Sequence, residues 1–88
     1  METSLDIRKE RDHAKALYRK GNVVDSLKHL QQTIQKAKDA ANELAQVELH
    51  LLASRIQLEV GLFPSSAESL KIADEILQKR RESGKDAS

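Results

Sequence analysis

The chain lacks cysteine, has a single proline and contains only two aromatic residues, Tyr18 and Phe63. Without cysteine it can form neither a disulfide bond nor a thiolate metal site. With so few rings, its core must be built from Leu, Ile, Val and Ala, and nucleic-acid bases would find little surface for stacking. No apolar run approaches the roughly 18 residues that a membrane-spanning helix requires.

Net charge is also nearly absent. The formal charge is +1, although 33% of the residues are charged. A surface of mixed sign produces no overall field that would attract nucleic acid or an anionic membrane. The length of 88 residues suits one small domain with a thin core. We therefore expect a soluble, cytoplasmic protein that does not bind nucleic acid and does not insert into a membrane.

Apolar residues at intervals of three and four predict an all-α fold of antiparallel helical hairpins. Gly21 and the segment Gly61–Pro64 are typical helix ends, because glycine adopts the left-handed conformation without strain. Asn22 suits the N-cap of the next helix, and Ser65 with Glu68 has capping-box spacing. The four predicted helices cover about 3–20, 23–38, 41–60 and 65–82, forming one domain over 1–82 with residues 83–88 as a disordered tail.

The middle of the chain allows two interpretations. No glycine or proline occurs between Asn22 and Val60, and one apolar stripe continues across the predicted break. A single long helix with a coiled-coil face would explain this stripe equally well. We favour a break near 38–42, because Asp39 is a plausible N-cap and so long a helix without caps is unusual in a small domain. The stripe consists of positions 27, 30, 34, 37, 41, 44, 47 and 51.

The chain repeats itself at an offset of 40 residues. A glycine turn is followed in both halves by a small residue, then by an apolar residue four positions further on. Two helices of a hairpin can approach closely only where small side chains lie at their crossing, so the pattern predicts two similar hairpins. The matched pairs are Gly21 with Gly61, Ser26 with Ser66, and Leu30 with Leu70.

The segment YRKGNVVDSLKHLQQTI resembles the turn and second helix of the tetratricopeptide repeat (TPR), and Ala14 matches the small residue of its first helix. The second half, LASRIQLEVGLFPSSAESLKIADEIL, follows the same order more weakly. The chain departs from the family at Glu10 and His13, and its period of 40 exceeds the usual ~34 residues. Two repeats are also fewer than the roughly three that bury a continuous core. This shortage suggests self-association as a homodimer, or docking into a larger assembly as a scaffold.

No catalytic or metal-binding pattern is visible. The three histidines, His13, His29 and His50, are too far apart in sequence to share a local motif, and we expect each at the surface or its boundary. The serines lack a nucleophile-elbow context, and no glycine-rich loop could hold a phosphate. We therefore expect a protein that is not an enzyme and uses no cofactor and no metal.

The best candidate for a site is a groove. Arg8, Arg11 and Lys15 form one basic stripe at helical spacing. The TPR resemblance implies that the first helix of each repeat lines a concave surface for a peptide or a partner helix. Such a stripe would suit an acidic segment, although it could also be a solvated face paired with Glu10 and Asp12. The candidate partner-binding residues are Arg8, Arg11, Lys15, Tyr18, Arg19, Leu51, Arg55 and Leu58, with Glu48 beside them.

The leading functional hypothesis is a non-catalytic protein–protein interaction module that binds an acidic or amphipathic segment of a partner. One alternative is a three-helix domain like the microtubule-interacting and transport family, which has a similar G-N turn and binds an amphipathic helix. The other is a structural coiled-coil or helical-bundle oligomer based on the long apolar stripe.

Overall fold

The computed structural model describes residues 4–87 and the side chains of 6–83, and within this part the chain is all α-helical. Consecutive helices pack side by side, and the first also contacts the third. The resulting arrangement is a flat slab with extents of 46 × 32 × 15 Å. The helices are α1 (Ser4–Arg19), α2 (Val23–Asp39), α3 (Glu43–Glu59) and α4 (Phe63–Ala87).

The predicted break in the middle of the chain is confirmed. The helix ends at Asp39 and the next begins at Glu43, so the interpretation as one long coiled-coil helix is wrong. Four helices in the described residues also disagree with a three-helix domain. Asp39 is not the N-cap, because it is the last residue of α2. Asn42 takes that role, and its side-chain oxygen accepts a hydrogen bond from the backbone N–H of Ala45 at 3.1 Å.

Three turns of one type join the four helices. Their central residues, Gly21, Ala41 and Gly61, have φ angles of 88°, 53° and 83° and follow one another every 20 residues. In the first turn, the N–H of Gly21 bonds to the carbonyl of Tyr18 and the N–H of Asn22 to that of residue 17, both at 2.9 Å. The same pair of bonds recurs in the other two turns. This is the Schellman arrangement, in which a left-handed residue ends the helix.

The bounds of α4 differ from the prediction at both ends. Ser65 and Glu68 form no capping box at its start, because the helix has already begun at Phe63, and the Ser66 N–H bonds to the Leu62 carbonyl at 2.9 Å. Pro64 is tolerated there, since an N–H in the first turn has no helical partner. At the other end the helix continues through residues 83–87, predicted as a tail, and residues 82–87 contain no proline that would break it. Residues 1–3, with the predicted start of α1 at 3, and residue 88 lie outside the described part.

The same buried contact holds each hairpin together. The Ser26 hydroxyl donates to the Ala14 carbonyl at 2.7 Å in the first hairpin. The Ser66 hydroxyl donates to the Ser54 carbonyl at 3.0 Å in the second. Both donors and both acceptors are offset by 40 residues, and both serines are buried. Small residues at the crossing thus let the helices of each hairpin approach closely, as the repeated sequence pattern predicts.

The core is aliphatic and lies among α1, α2 and α3. Its largest fully buried side chains are Leu30, Leu49 and Ile56. Tyr18, the aromatic residue of α1, packs against its edge and stays partly exposed. The buried core members are Ile7, Ala14, Leu30, Ile34, Ala37, Leu49, Ala53 and Ile56.

Candidate functional site

A groove runs between α1 and α3. It consists of two adjoining hollows of about 240 and 300 Å³ that share Lys15, Leu52 and Arg55 in their walls. The α1 wall carries side chains at intervals of three and four, which places them on one face of the helix. The remaining lining residues are Arg11, Tyr18 and Arg19 from α1, and Glu48, Leu51, Ile56 and Glu59 from α3.

Polar contacts cross the groove towards each of its ends. At one end the Arg11 guanidinium donates to the Glu48 carboxylate, with Nη1 and Oε2 2.9 Å apart. At the other end the Tyr18 hydroxyl donates to the Glu59 carboxylate. Arg55 approaches the second oxygen of Glu59 at 3.7 Å within α3. These contacts connect α1 to α3, and they occupy both carboxylates of the groove.

Two positive charges of the α1 wall have no such partner. Among the described residues, neither Lys15 nor Arg19 has a carboxylate within 4.0 Å. Four cationic and two acidic side chains line the two hollows, so the groove has a local charge of +2. Leu51, 44% exposed, lies on the α3 wall in the same hollow as Lys15. The surface therefore combines unneutralised positive charge with an exposed apolar side chain.

Most of the predicted site residues lie along this groove. Arg8 and Leu58 do not line either hollow, although both are exposed. Sequence reasoning did not identify Leu52, Ile56 and Glu59. Helical spacing could have found them, since each lies four residues after another residue of the α3 wall. The predicted residues that line the groove are Arg11, Lys15, Tyr18, Arg19, Leu51 and Arg55.

The alternative to a binding stripe is a solvated face paired with Glu10 and Asp12, and it describes Arg8, which is exposed outside both hollows. Arg11 also approaches Asp12 at 3.5 Å. Glu10, however, turns away from the stripe and meets α2, where its carboxylate lies 2.7 Å from His29 Nε2 and 3.7 Å from Lys36 Nζ. The acidic neighbours therefore leave the charge of Lys15 available in the groove.

The histidines correct one expectation and lie away from the groove. The rings of His13 and His29 meet edge to face, with centroids 4.8 Å apart, although they belong to different helices. His50 is buried rather than at the boundary, and its Nε2 atom has no hydrogen-bond partner. Burial, and to a lesser degree the positive charge of Lys38, lowers the pKa of His50. His50 lines a separate crevice of about 190 Å³ between α2, α3 and α4.

The described residues contain no group of three His, Asp or Glu side chains placed to hold a metal ion. None of the helices in residues 4–87 combines the length and the apolar character needed to cross a bilayer. Comparisons with protein-family models, with curated proteins and with solved structures give no match.

Proposed function

We propose that this chain is a non-catalytic protein-interaction module whose α1–α3 groove holds an acidic, partly apolar segment of another protein. The observation that carries the proposal is the pair of unneutralised charges, Lys15 and Arg19, in a groove whose α3 wall exposes Leu51 in the same hollow as Lys15. Carboxylates of a ligand would approach the two charges, while an apolar ligand side chain would cover Leu51. The TPR resemblance supports the same surface, since it implies that the first helix of each repeat lines the ligand groove.

The contacts that cross the groove would make it rigid before a ligand binds. The Arg11–Glu48 ion pair and the Tyr18–Glu59 hydrogen bond fix the separation of α1 and α3. A preformed groove costs less conformational entropy on binding than one that must be assembled. Arg11 is therefore a structural part of the groove, whereas Lys15 and Arg19 are the residues that would meet the ligand.

Lys15 and Arg19 are accessible to solvent, and this limits the affinity that their ion pairs with a ligand can provide. Ion pairs at a solvent-exposed edge contribute about 0.2–1 kcal/mol each. Two such pairs improve the encounter rate and the choice of ligand more than they improve affinity. Most of the binding free energy would come from the apolar contact with Leu51 and Leu52, so we expect dissociation constants near 1 µM or weaker, about −8 kcal/mol at most.

Peptide display tests the proposal with ligands of random sequence. A library of about 16-residue peptides, long enough to cross a short groove in an extended form, is selected on the immobilised protein. We expect the enriched peptides to carry several Asp or Glu residues and at least one large apolar residue. Binding of an enriched peptide should weaken about fourfold or more in a Lys15→Glu, Arg19→Glu double variant, because each reversal replaces a weak attraction with a repulsion of similar size. Binding should also weaken at high salt.

The matched control is a Lys9→Glu, Lys28→Glu double variant. It changes the net charge by the same amount, but both of its lysines are exposed and lie outside the groove. It should bind the peptide nearly as well as the unmodified protein. Arg11 is left intact, because its reversal would also break the pair with Glu48 and confuse the result. Selected peptides without acidic residues, or equal weakening in both double variants, would contradict the proposal.

A further inference from the structure

An apolar face of α4 lies open on the surface. Phe63 is 62% exposed and Leu70 is 49% exposed, and the exposed residue Ala67 lies between them. Their spacing of four and three places all three on one side of the helix. We call Phe63, Ala67 and Leu70 the α4 patch. None of the three lines the α1–α3 groove.

The corresponding face of the first hairpin is covered. Forty residues before the α4 patch lie Val23, Leu27 and Leu30 of α2. Leu30 is completely buried, and the other two pack against the core. Helix α3 contributes to covering this face, since α2 and α3 line one crevice and share the core cluster. Within the described residues α4 contacts only α3, so no helix covers the α4 patch as α3 covers α2.

Helix α1 of a second copy is poorly suited to cover the α4 patch. Three buried α3 residues lie near α2: Leu49 and Ala53 share its core cluster, and His50 lines a crevice with it. Their counterparts on α1, 40 residues earlier, are Lys9, Glu10 and His13. A second copy that used α1 to cover the patch would have to bury these charged and polar side chains, which is costly without new partners. Head-to-tail stacking of copies is therefore unfavourable.

We propose that the α4 patch is the interface of a twofold homodimer of this chain. The two α4 helices would lie antiparallel, with the axis between positions 66 and 67. This axis brings Phe63 of each copy beside Leu70 of the other, while the small side chain of Ala67 permits close approach at the crossing. Such an interface covers the same apolar surface on both copies, as twofold dimers do. The net charge of +1 adds little repulsion between the copies.

The size of the patch sets the expected strength of the dimer. One helix face on each copy buries less than the roughly 1,200 Å² of standard stable interfaces. The dimer should therefore dissociate on dilution, with monomers dominant at low micromolar concentration. It should also leave the α1–α3 groove open, because α4 contributes no residue to that groove.

Sedimentation velocity from about 10 µM to about 1 mM tests the proposal, a range that spans weak association. The unmodified chain should shift from monomer to dimer as its concentration rises, and Leu70→Glu should abolish the shift. The matched control is Val24→Glu, which puts the same charge in place of an apolar residue that is 76% exposed on α2. It should dimerise like the unmodified chain. Circular dichroism shows whether each variant remains helical.

A crosslinking experiment gives a second measurement, because the chain has no cysteine of its own. In an Ala67→Cys variant the twofold axis places the two thiols close enough for a disulfide, which requires Cα atoms within about 7 Å. Mild oxidation should give a covalent dimer much faster than in a Val24→Cys control. A chain that stays monomeric up to about 1 mM, a dimer that survives Leu70→Glu, or equal crosslinking of the two cysteine variants would overturn the proposal.

Discussion

The substitution Ala41→Gly should stabilise the protein. Ala41 has a φ of 53°, in the position that Gly21 and Gly61 occupy in the other two turns. The left-handed conformation costs a residue with a Cβ about 1–2 kcal/mol. Glycine avoids this cost, but it adds about 0.4–1 kcal/mol of conformational freedom to the unfolded chain. The difference predicts an increase of about 0.5–1 kcal/mol in the free energy of unfolding.

The neighbouring substitution Ala40→Gly provides the control. Ala40 has φ −85° and ψ 0°, a right-handed conformation in which alanine is unstrained. Both variants change the unfolded chain in the same way, so the difference between them isolates the strain at Ala41. We expect Ala40→Gly to lower the free energy of unfolding by up to about 1 kcal/mol. The two variants should therefore differ by about 1–2 kcal/mol, in opposite directions from the unmodified protein.

Urea denaturation followed by circular dichroism at the helix band measures both values. The slope of the free energy against urea should be unchanged, because neither variant alters the surface exposed on unfolding. In thermal unfolding, each 1 kcal/mol corresponds to a shift of about 4–8 °C for a domain of this size. If Ala41→Gly destabilises the protein as much as Ala40→Gly does, the turn is not left-handed at Ala41. The three turns would then not share one geometry.

Ser26→Ala and Ser66→Ala should each lower the free energy of unfolding by about 1 kcal/mol, because each removes a buried hydrogen bond. The two effects should add, since the serines belong to different hairpins, and a double variant no less stable than either single variant would contradict this. Leu30→Ala should lower the free energy of unfolding, measured by urea denaturation, by about 2–5 kcal/mol, because Leu30 is fully buried. Its exposed counterpart Leu70→Ala should lower it by less than about 1 kcal/mol in dilute protein, and equal losses would refute the difference in burial. Finally, the pKa of His50 is lower in the folded protein than in the unfolded chain, so as the pH drops below 6.5 the unfolded chain binds a proton at this residue before the folded protein does. Protonation therefore favours unfolding, and stability should fall as the pH drops below 6.5. The urea midpoint of His50→Gln should depend less on pH between about 5 and 7, and an unchanged dependence would exclude His50 as its source.

The sequence predicts the number and order of the helices because their apolar spacing is regular and two turns contain glycine. It does not predict the middle turn in detail, because Ala41 adopts a left-handed conformation that alanine rarely takes. A signal was present, since Asn22 and Asn42 lie 20 residues apart and both precede a helix. The capping-box motif at Ser65 was misleading, because Pro64 fits within the first turn and allows an earlier start.

Most residues that line the groove could be predicted from the sequence, but the ion pairs that they form could not. Helical spacing alone places Arg11, Lys15 and Arg19 along one side of α1. Arg11 is neutralised and the other two are not, because Glu48 of another helix approaches Arg11 in the folded chain and Glu59 pairs with Tyr18 and Arg55 instead. The exposure of the α4 patch also depends on contacts between helices, which the local sequence does not specify. Leu30 and Leu70 occupy equivalent places in the repeated pattern, and their burial differs because a helix covers only the first.

The most direct test of the proposed groove is to locate a bound ligand on the fold. An acidic peptide obtained by display is titrated into ¹⁵N-labelled protein, and the backbone amide signals are followed by NMR. The largest shifts should fall within 11–19 of α1 and 48–59 of α3, the two walls of the groove. Shifts concentrated on α2 or α4, with α1 and α3 unchanged, would contradict it.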